Sequence, residues 1–110
     1  MSYCPDRGDI VTVDYDPQTG REMGKVRPAL VLSPKSYNRQ AGLMLACPIT
    51  SKVSDYPFEV SLPAGGKIVG AVLADRPSSL DWRARNVTAV EKAPAAVVQD
   101  VQAKLGALIL

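Results

Sequence analysis

The residues best suited to chemistry in this chain are an arginine and a carboxylate ahead of a short apolar segment. Arg27 stands directly before Pro28 and the apolar run 29–32, so it lies at the mouth of a predicted strand. The polar, Gly-containing loop 19–24 precedes it and carries one carboxylate, Glu22. A guanidinium can hold two phosphate oxygens at once through its planar array of N–H donors. This arrangement predicts a phosphate-binding site built on Arg27.

Thr50 and a second arginine cluster, Arg83 and Arg85, are candidates to complete such a site. The chain has no histidine and no C-x-x-C pair, so neither a His-based triad nor a zinc site is predicted. RNA supplies its own nucleophile, the 2′-hydroxyl, and needs only a proton acceptor, a proton donor and a cation at the phosphate. The residue types therefore favour phosphate chemistry without a metal or a cofactor.

Each candidate also has a structural interpretation. Thr50 is, from its surroundings alone, typical of a threonine at a strand end, and loop carboxylates such as Glu22 are usually solvated. Trp82 suits packing in the core better than stacking on a base, although its arginine neighbours allow both. Spacing by itself leaves these alternatives open.

Composition limits the class of protein. At 110 residues, the chain is predicted to be one domain spanning 1–110. The formal net charge is only +2, so binding to a polyanion requires cations that cluster in space. Cys47, in an apolar run, is expected to be a buried reduced thiol, which fits a cytoplasmic protein. The sequence shows no signal peptide and no membrane-spanning segment.

Alternating and β-branched segments bounded by Gly and Pro predict five or six short strands. From Pro94 onward, apolar residues recur at helical spacing, which predicts an amphipathic C-terminal helix. Together they indicate a mainly β small barrel with a C-terminal helix, and the apolar chain end suggests a homodimer. The predicted strands cover 10–15, 28–33, 43–49, 58–62, 67–74 and 86–90, with a helical turn at 35–41 and a bend at Gly70.

Five short segments resemble the MazF/PemK toxins, in the same order and with similar spacing. These toxins are the ribosome-independent mRNA interferases of bacterial toxin–antitoxin pairs. The segments are Asp9-Ile-Val-Thr-Val-Asp-Tyr-Asp-Pro17, Arg27-Pro-Ala-Leu-Val-Leu-Ser-Pro34, Cys47-Pro-Ile-Thr50, Tyr56-Pro-Phe-Glu59 and Trp82-Arg-Ala-Arg85.

The resemblance implies a dimeric SH3-like barrel related to the CcdB toxin fold. It also implies metal-free cleavage of single-stranded mRNA at a short sequence, which leaves a 2′,3′-cyclic phosphate and a 5′-hydroxyl. The family's catalytic pair, an Arg before the second strand and a Thr after the third, corresponds to Arg27 and Thr50. Glu22 matches a loop Glu that contributes in some members and is a candidate general base.

RNA binding is expected around this catalytic group, and the Trp-Arg-Ala-Arg motif is expected at the RNA-binding surface. The implied partners are single-stranded mRNA, a second copy of the chain and a cognate MazE-like antitoxin, with DNA reached only through the antitoxin complex. No membrane partner is expected. Loops 19–26 and 51–55 carry no signature that predicts the cleaved sequence. The candidate RNA-binding residues are Lys25, Ser51, Lys52, Arg83 and Arg85.

Two other functions stay open at this point. The CcdB toxins share the expected fold but bind gyrase, through an extreme C-terminus that includes a Trp. This chain ends in Leu108-Ile-Leu110, and its only Trp is Trp82, which disfavours gyrase binding. The third candidate is a catalytically silent barrel that binds nucleic acid.

Overall fold

Seven strands and two helices make up the described part of the chain, residues 3–15 and 26–110 of this computed structural model. Short β-branched runs form the strands, and Gly and Pro separate them. The elements are β1 (Asp9–Asp14), β2 (Val26–Val31), α1 (Lys35–Ala41), β3 (Met44–Thr50), β4 (Glu59–Ser61), β5 (Ala71–Leu73), β6 (Ser78–Leu80), β7 (Thr88–Lys92) and α2 (Ala95–Ile109).

The strands pair antiparallel in the order β4-β5-β3-β2-β1-β7, and β6 pairs with the first half of β3. The mainly β architecture with a C-terminal helix is confirmed. The closed SH3-like or CcdB-like barrel is not, because β4 and β7 stand at opposite ends of this order and, within the described residues, do not pair. The expected barrel therefore stays a prediction.

Two strands differ from the sequence expectation for local reasons. β6 was missed because Ser78-Ser-Leu80 does not alternate, and only its pairing with residues 44–46 makes it a strand. The fifth strand was predicted to span 67–74 but covers only Ala71–Leu73, since Gly70 has φ +142° and breaks the extended run. Seven strands thus replace the predicted five or six.

Two apolar clusters hold the sheet, and alternation along each strand divides the side chains between them. In β1, Ile10 joins the first cluster whereas Val11 and Val13 join the second. Helix α2 covers the first cluster with Val97 and Val101, and Trp82 closes the second. The side chains of each strand therefore point alternately to the two faces of the sheet, and this determines the face from which each polar side chain projects.

Asn38 of helix α1 forms hydrogen bonds with three other segments of the chain. Its side chain is fully buried and donates hydrogen bonds from Nδ2 to the carbonyl oxygens of Pro5 (2.9 Å) and Ser33 (3.0 Å). Its Oδ1 accepts the Ser33 hydroxyl proton at 2.6 Å, and its backbone oxygen accepts the indole N–H of Trp82 at 2.9 Å. The position of Trp82, and of the arginines after it, thus depends on this helix.

Helix α2 ends in an apolar tip. Leu108, Ile109 and Leu110 are 52%, 71% and 105% exposed. Neither helix in the described ranges has the length and hydropathy needed to cross a bilayer.

We expect Asn38→Ala to lower the free energy of unfolding by about 2–4 kcal/mol, because it removes three buried hydrogen bonds, two to the Pro5 and Ser33 carbonyl oxygens and one from the Ser33 hydroxyl. Urea unfolding followed by far-UV circular dichroism measures this change. Gln40→Ala, exposed on the same helix, is the control and is expected to stay within about 0.5 kcal/mol of the original. Equal effects of the two substitutions would contradict the anchoring role of Asn38.

Burial raises the pKa of the Cys47 thiol to about 11, and the residue is fully buried and free of disulfides. A raised pKa means that folding favours the neutral thiol; that stabilisation is present below the unfolded pKa and lost as pH rises through about 11. At pH about 8, a Cys4→Ser variant should not react with a disulfide reagent until it unfolds. Rapid labelling of the native variant would contradict this.

Candidate active site

The pairing of β2 with β3 puts the two predicted catalytic residues at the same end of the sheet. Ala29 lies opposite Pro48, Leu30 opposite Cys47 and Val31 opposite Ala46. Continued by two residues beyond the last pair, the same register aligns Arg27 with Thr50, although these two residues are not themselves paired.

Backbone pairing between these two strands ends where the candidate residues begin. The last paired residues are Ala29 and Pro48, and prolines 28 and 48 have no backbone N–H with which to extend the ladder. Arg27 is held on its other side by pairing with Val13, and Thr50 by pairing with Ala71. Each residue is thus positioned by a different neighbouring strand, at a point where the sheet between them opens.

The Thr50 hydroxyl is available to donate a hydrogen bond. It is the last residue of β3, and its Oγ1 accepts the backbone N–H of Lys52 at 3.1 Å. A hydroxyl that accepts in this way keeps its own proton for another acceptor. Ser51 and Lys52 follow directly and are exposed.

Gly70 makes the close packing behind Thr50 possible. A Cβ at position 70 would stand 2.1 Å from the carbonyl oxygen of Thr50, which no real side chain tolerates. The residue also has φ +142°, in the region that favours glycine. The bend predicted at Gly70 therefore supports the backbone of the candidate site.

An open cavity of about 550 Å³ adjoins Thr50, and we refer to it as the Thr50 cavity. Glu59 pairs with Leu73, and Thr50 with Ala71, so alternation puts the side chains of Thr50, Leu73 and Glu59 on one face of the sheet. Beside Thr50, the lining residues are Lys52, Ser54, Tyr56, Glu59, Leu73 and Arg76.

Two side-chain contacts fasten the loop that walls this cavity. Both oxygens of the Glu59 carboxylate accept hydrogen bonds at 2.9 Å from Ser54, one from its N–H and one from its hydroxyl. The Tyr56 hydroxyl donates to Asp75, and this hydrogen bond raises the pKa of Tyr56. Tyr56 is therefore a neutral hydrogen-bond donor at physiological pH. Its hydrogen bond to Asp75 holds the hydroxyl end of the ring in place.

The Trp-Arg-Ala-Arg motif divides into three different roles. Trp82 is 6% exposed, so the core interpretation is confirmed, and stacking of this ring on a base is excluded by burial. The Arg83 guanidinium lies 4.7 Å from the Trp82 ring centroid, on the exposed side. Arg85 donates from Nη1 to the carbonyl oxygen of Tyr15 at 2.6 Å, so it holds the end of β1.

Two of the predicted site residues lie outside the part of the chain that the structure describes. They are Glu22 and Lys25, on the connection between Tyr15 and Val26. Because Asp14 pairs with Val26, both ends of that connection start beside Arg27, at the same end of the sheet as Arg85. The described ranges contain no group of three or more His, Cys, Asp or Glu side chains arranged to hold a metal ion.

Sequence reasoning assigned no role to Tyr56 and Arg76, which line the cavity, or to Asp75, which accepts the hydrogen bond of the Tyr56 hydroxyl. Arg76 belongs to the cationic stretch 76–85 and could have been found there, and Tyr56 stands in one of the resembling segments. Asp75 gives no sequence signal, since only the fold brings it to the Tyr56 hydroxyl.

Comparison with known proteins gives a consistent result over nearly the whole chain. Residues 6–109 match the family model described as PemK-like, MazF-like toxin of type II toxin-antitoxin system. The chain is 43% identical to the endoribonuclease toxin MazF of Escherichia coli K12, over 97% of this chain and 96% of that one. Crystal structures of MazF and of MazE-MazF from Deinococcus radiodurans superpose with TM-scores of 0.89 each, at 52% and 48% identity, and cover 97–98% of each chain.

We expect Gly70→Ala to destabilise the protein more than Gly65→Ala. Both glycines have positive φ, but only position 70 faces a backbone atom, whereas position 65 has nothing within 4 Å. Gly65→Ala should cost about 1–2 kcal/mol, and Gly70→Ala about 1–3 kcal/mol more, because Thr50 must move. Urea unfolding measures both, and the Thr50 amide in a ¹⁵N correlation spectrum should shift only in Gly70→Ala. An unshifted Thr50 amide would contradict the proposed support.

Proposed function

Since the chain belongs to the PemK-like, MazF-like toxins of type II toxin–antitoxin systems, we propose that it cuts single-stranded mRNA with Arg27 and Thr50 as its catalytic pair. It is a MazF-like endoribonuclease toxin. The proposal concerns the substrate, the reaction and the residues that carry it out.

The observation that carries this proposal is the register of β2 and β3. Continued by two residues, this register aligns Arg27 with Thr50, which are 23 positions apart in sequence, and both are residue types that bind phosphate. The Arg27 side chain is exposed, and it makes no ion pair with a carboxylate of the described residues. It is therefore available to an anionic substrate.

The reaction follows from what RNA provides. The 2′-oxygen attacks the adjacent phosphorus, the bond from phosphorus to the 5′-oxygen breaks, and a cyclic phosphate forms. The 2′-hydroxyl proton passes to a base, for which Glu22 is the candidate, and the departing 5′-oxygen takes up a proton from solvent water. Arg27 stabilises the charge that builds up on the phosphate oxygens, and the Thr50 hydroxyl donates to one of them.

The surrounding cations extend the site along the RNA backbone. Lys25, Ser51 and Lys52 flank the catalytic pair in sequence, and Arg83 presents a guanidinium at the surface. Arg85 acts mainly by holding the start of the connection that carries Glu22, through its hydrogen bond to Tyr15. The proposal thus assigns Arg85 a positioning role beside its expected contact with RNA.

A cognate antitoxin is the regulatory partner, as in the MazE-MazF complex of the Deinococcus radiodurans protein at 48% identity. We propose that it is MazE-like, that its acidic segment competes with RNA for these cations, and that DNA is reached only through that complex. A homodimer would cover the exposed apolar tip of helix α2. The proposed place of action is the cytoplasm, where mRNA is found.

Gyrase binding of the CcdB type loses support from the structure. That contact requires a Trp at the chain end, whereas Trp82 is buried and bonded through its indole N–H to Asn38. A silent nucleic-acid-binding barrel is the remaining alternative, and a cleavage assay distinguishes it.

We expect the purified protein to cut a long single-stranded RNA in EDTA and to leave 5′-hydroxyl ends. Arg27→Ala should reduce the rate by at least about 10²–10³-fold, as loss of a positioned transition-state donor does. Thr50→Val, which keeps the shape and removes the hydroxyl, should reduce it by about tenfold or more. Labelling the new ends with polynucleotide kinase, without prior phosphatase, reports the products.

Arg39→Ala is the matched control, because Arg39 is an exposed cation on helix α1, outside the site. It should cut at the original rate. Intact RNA with folded, antitoxin-free protein would overturn the enzyme proposal and favour the silent barrel. Undiminished cutting by Arg27→Ala would overturn the assignment of the catalytic pair.

A further inference from the structure

The Thr50 cavity has a rigid wall on the side away from Arg27. Ser54 and Glu59 close its loop through two hydrogen bonds of 2.9 Å, and Asp75 holds the Tyr56 hydroxyl. Tyr56 is 47% exposed, so part of the residue is free to contact a ligand. A cavity of about 550 Å³ with a fixed aromatic wall is large enough for one nucleotide.

Among the described residues that line the cavity, Arg76 and Lys52 have cationic side chains with unused hydrogen-bonding capacity, and only Arg76 offers paired donors. Its backbone N–H donates to the Leu73 carbonyl oxygen at 3.1 Å, which sets the turn that carries the side chain. The guanidinium is exposed and makes no hydrogen bond or ion pair with any described residue. Arg76 thus brings five N–H donors to the lining of a cavity whose one lining carboxylate, Glu59, is already engaged by Ser54.

The chemistry of the lining favours a base edge with two neighbouring acceptors. A guanidinium pairs with such an edge through two parallel hydrogen bonds, and guanine presents O6 and N7 in that geometry. Single-stranded RNA leaves these edges free and lets the base stack on an aromatic ring, a role that Tyr56 can fill. An adenine would instead bring its amino group, a donor, against the guanidinium.

We propose that the Thr50 cavity binds the nucleotide next to the cleaved bond and that Arg76 selects guanine there. This inference rests on the proposed function, because the nucleotide is placed by the phosphate that Arg27 and Thr50 hold. Asp75 is a positioning residue, since it acts on the substrate only through Tyr56.

A contact between Arg76 and a phosphate is the competing explanation, and it predicts a different pattern. Loss of a phosphate contact weakens cutting uniformly across sequences, whereas loss of a base contact changes the preferred base. Arg76→Lys retains the charge but not the paired donors, and Arg76→Gln offers the donor and acceptor that adenine prefers. The two variants together separate the explanations.

The test uses an RNA pool with randomised sequence, cut in EDTA and sequenced from its 5′-hydroxyl ends. The original protein should select guanine beside the cut. Arg76→Gln should lower kcat/KM on the guanine-containing RNA by about 10- to 100-fold and shift the preference at that position towards adenine. Arg76→Lys should lose most of the guanine preference, and Arg39→Gln, an exposed cation on α1, should cut as the original does.

Several results would overturn the inference while leaving the proposed function intact. These are cutting without guanine beside the bond, an unchanged motif in Arg76→Gln, and an equal loss of rate on all sequences. If Arg76→Gln cuts nothing, the affinities of the variant for four 2′-deoxy RNA analogues, which differ only in the base beside the cleaved bond, decide the question, and equal affinities refute the inference. A protein that cuts no RNA would remove both the inference and the proposed function.

Discussion

The antiparallel pairing of β2 with β3 is the constraint on which the rest of this molecule depends. Leu30 and Cys47 face one apolar cluster from this pair, while Ala29, Val31 and Ala46 face the other. A slip of one residue would move each of these side chains to the wrong face, so burial on both sides fixes the register strongly. The same register decides which polar residues meet where the pairing ends. The core thus determines the geometry of the candidate site.

Residues outside this strand pair support that geometry. Gly70 lets β5 approach the Thr50 carbonyl oxygen, and Arg85 ties the end of β1 through Tyr15. Asn38 holds Trp82 and so fixes the segment from which Arg85 extends. These residues do not touch a substrate, yet each limits the freedom of one that is proposed to. Precise positioning of a phosphate requires that the residues that bind it be held in place by a rigid surrounding structure.

Charge in the site is distributed so that cations stay available. Two described carboxylates near it are bound by the protein itself: both oxygens of Glu59 by Ser54, and Oδ2 of Asp75 by Tyr56. Arg27 and Arg76 have no such partner among the described residues. With a formal net charge of only +2, this local arrangement, rather than the total charge, is what favours an anionic ligand.

The sequence by itself determined the residue types and the local elements. The helix from Pro94 and the bend at Gly70 follow from short-range patterns, and the resembling segments led to the family. Arg27 was expected just before a strand and Thr50 just after one, whereas the structure includes Arg27 in β2 and makes Thr50 the last residue of β3. Tertiary structure alone decided the strand Ser78–Leu80, the burial of Trp82 and the contact of Asp75 with Tyr56. The physical reason is range: propensity and periodicity act over a few residues, whereas strand pairing and burial join positions far apart in the chain.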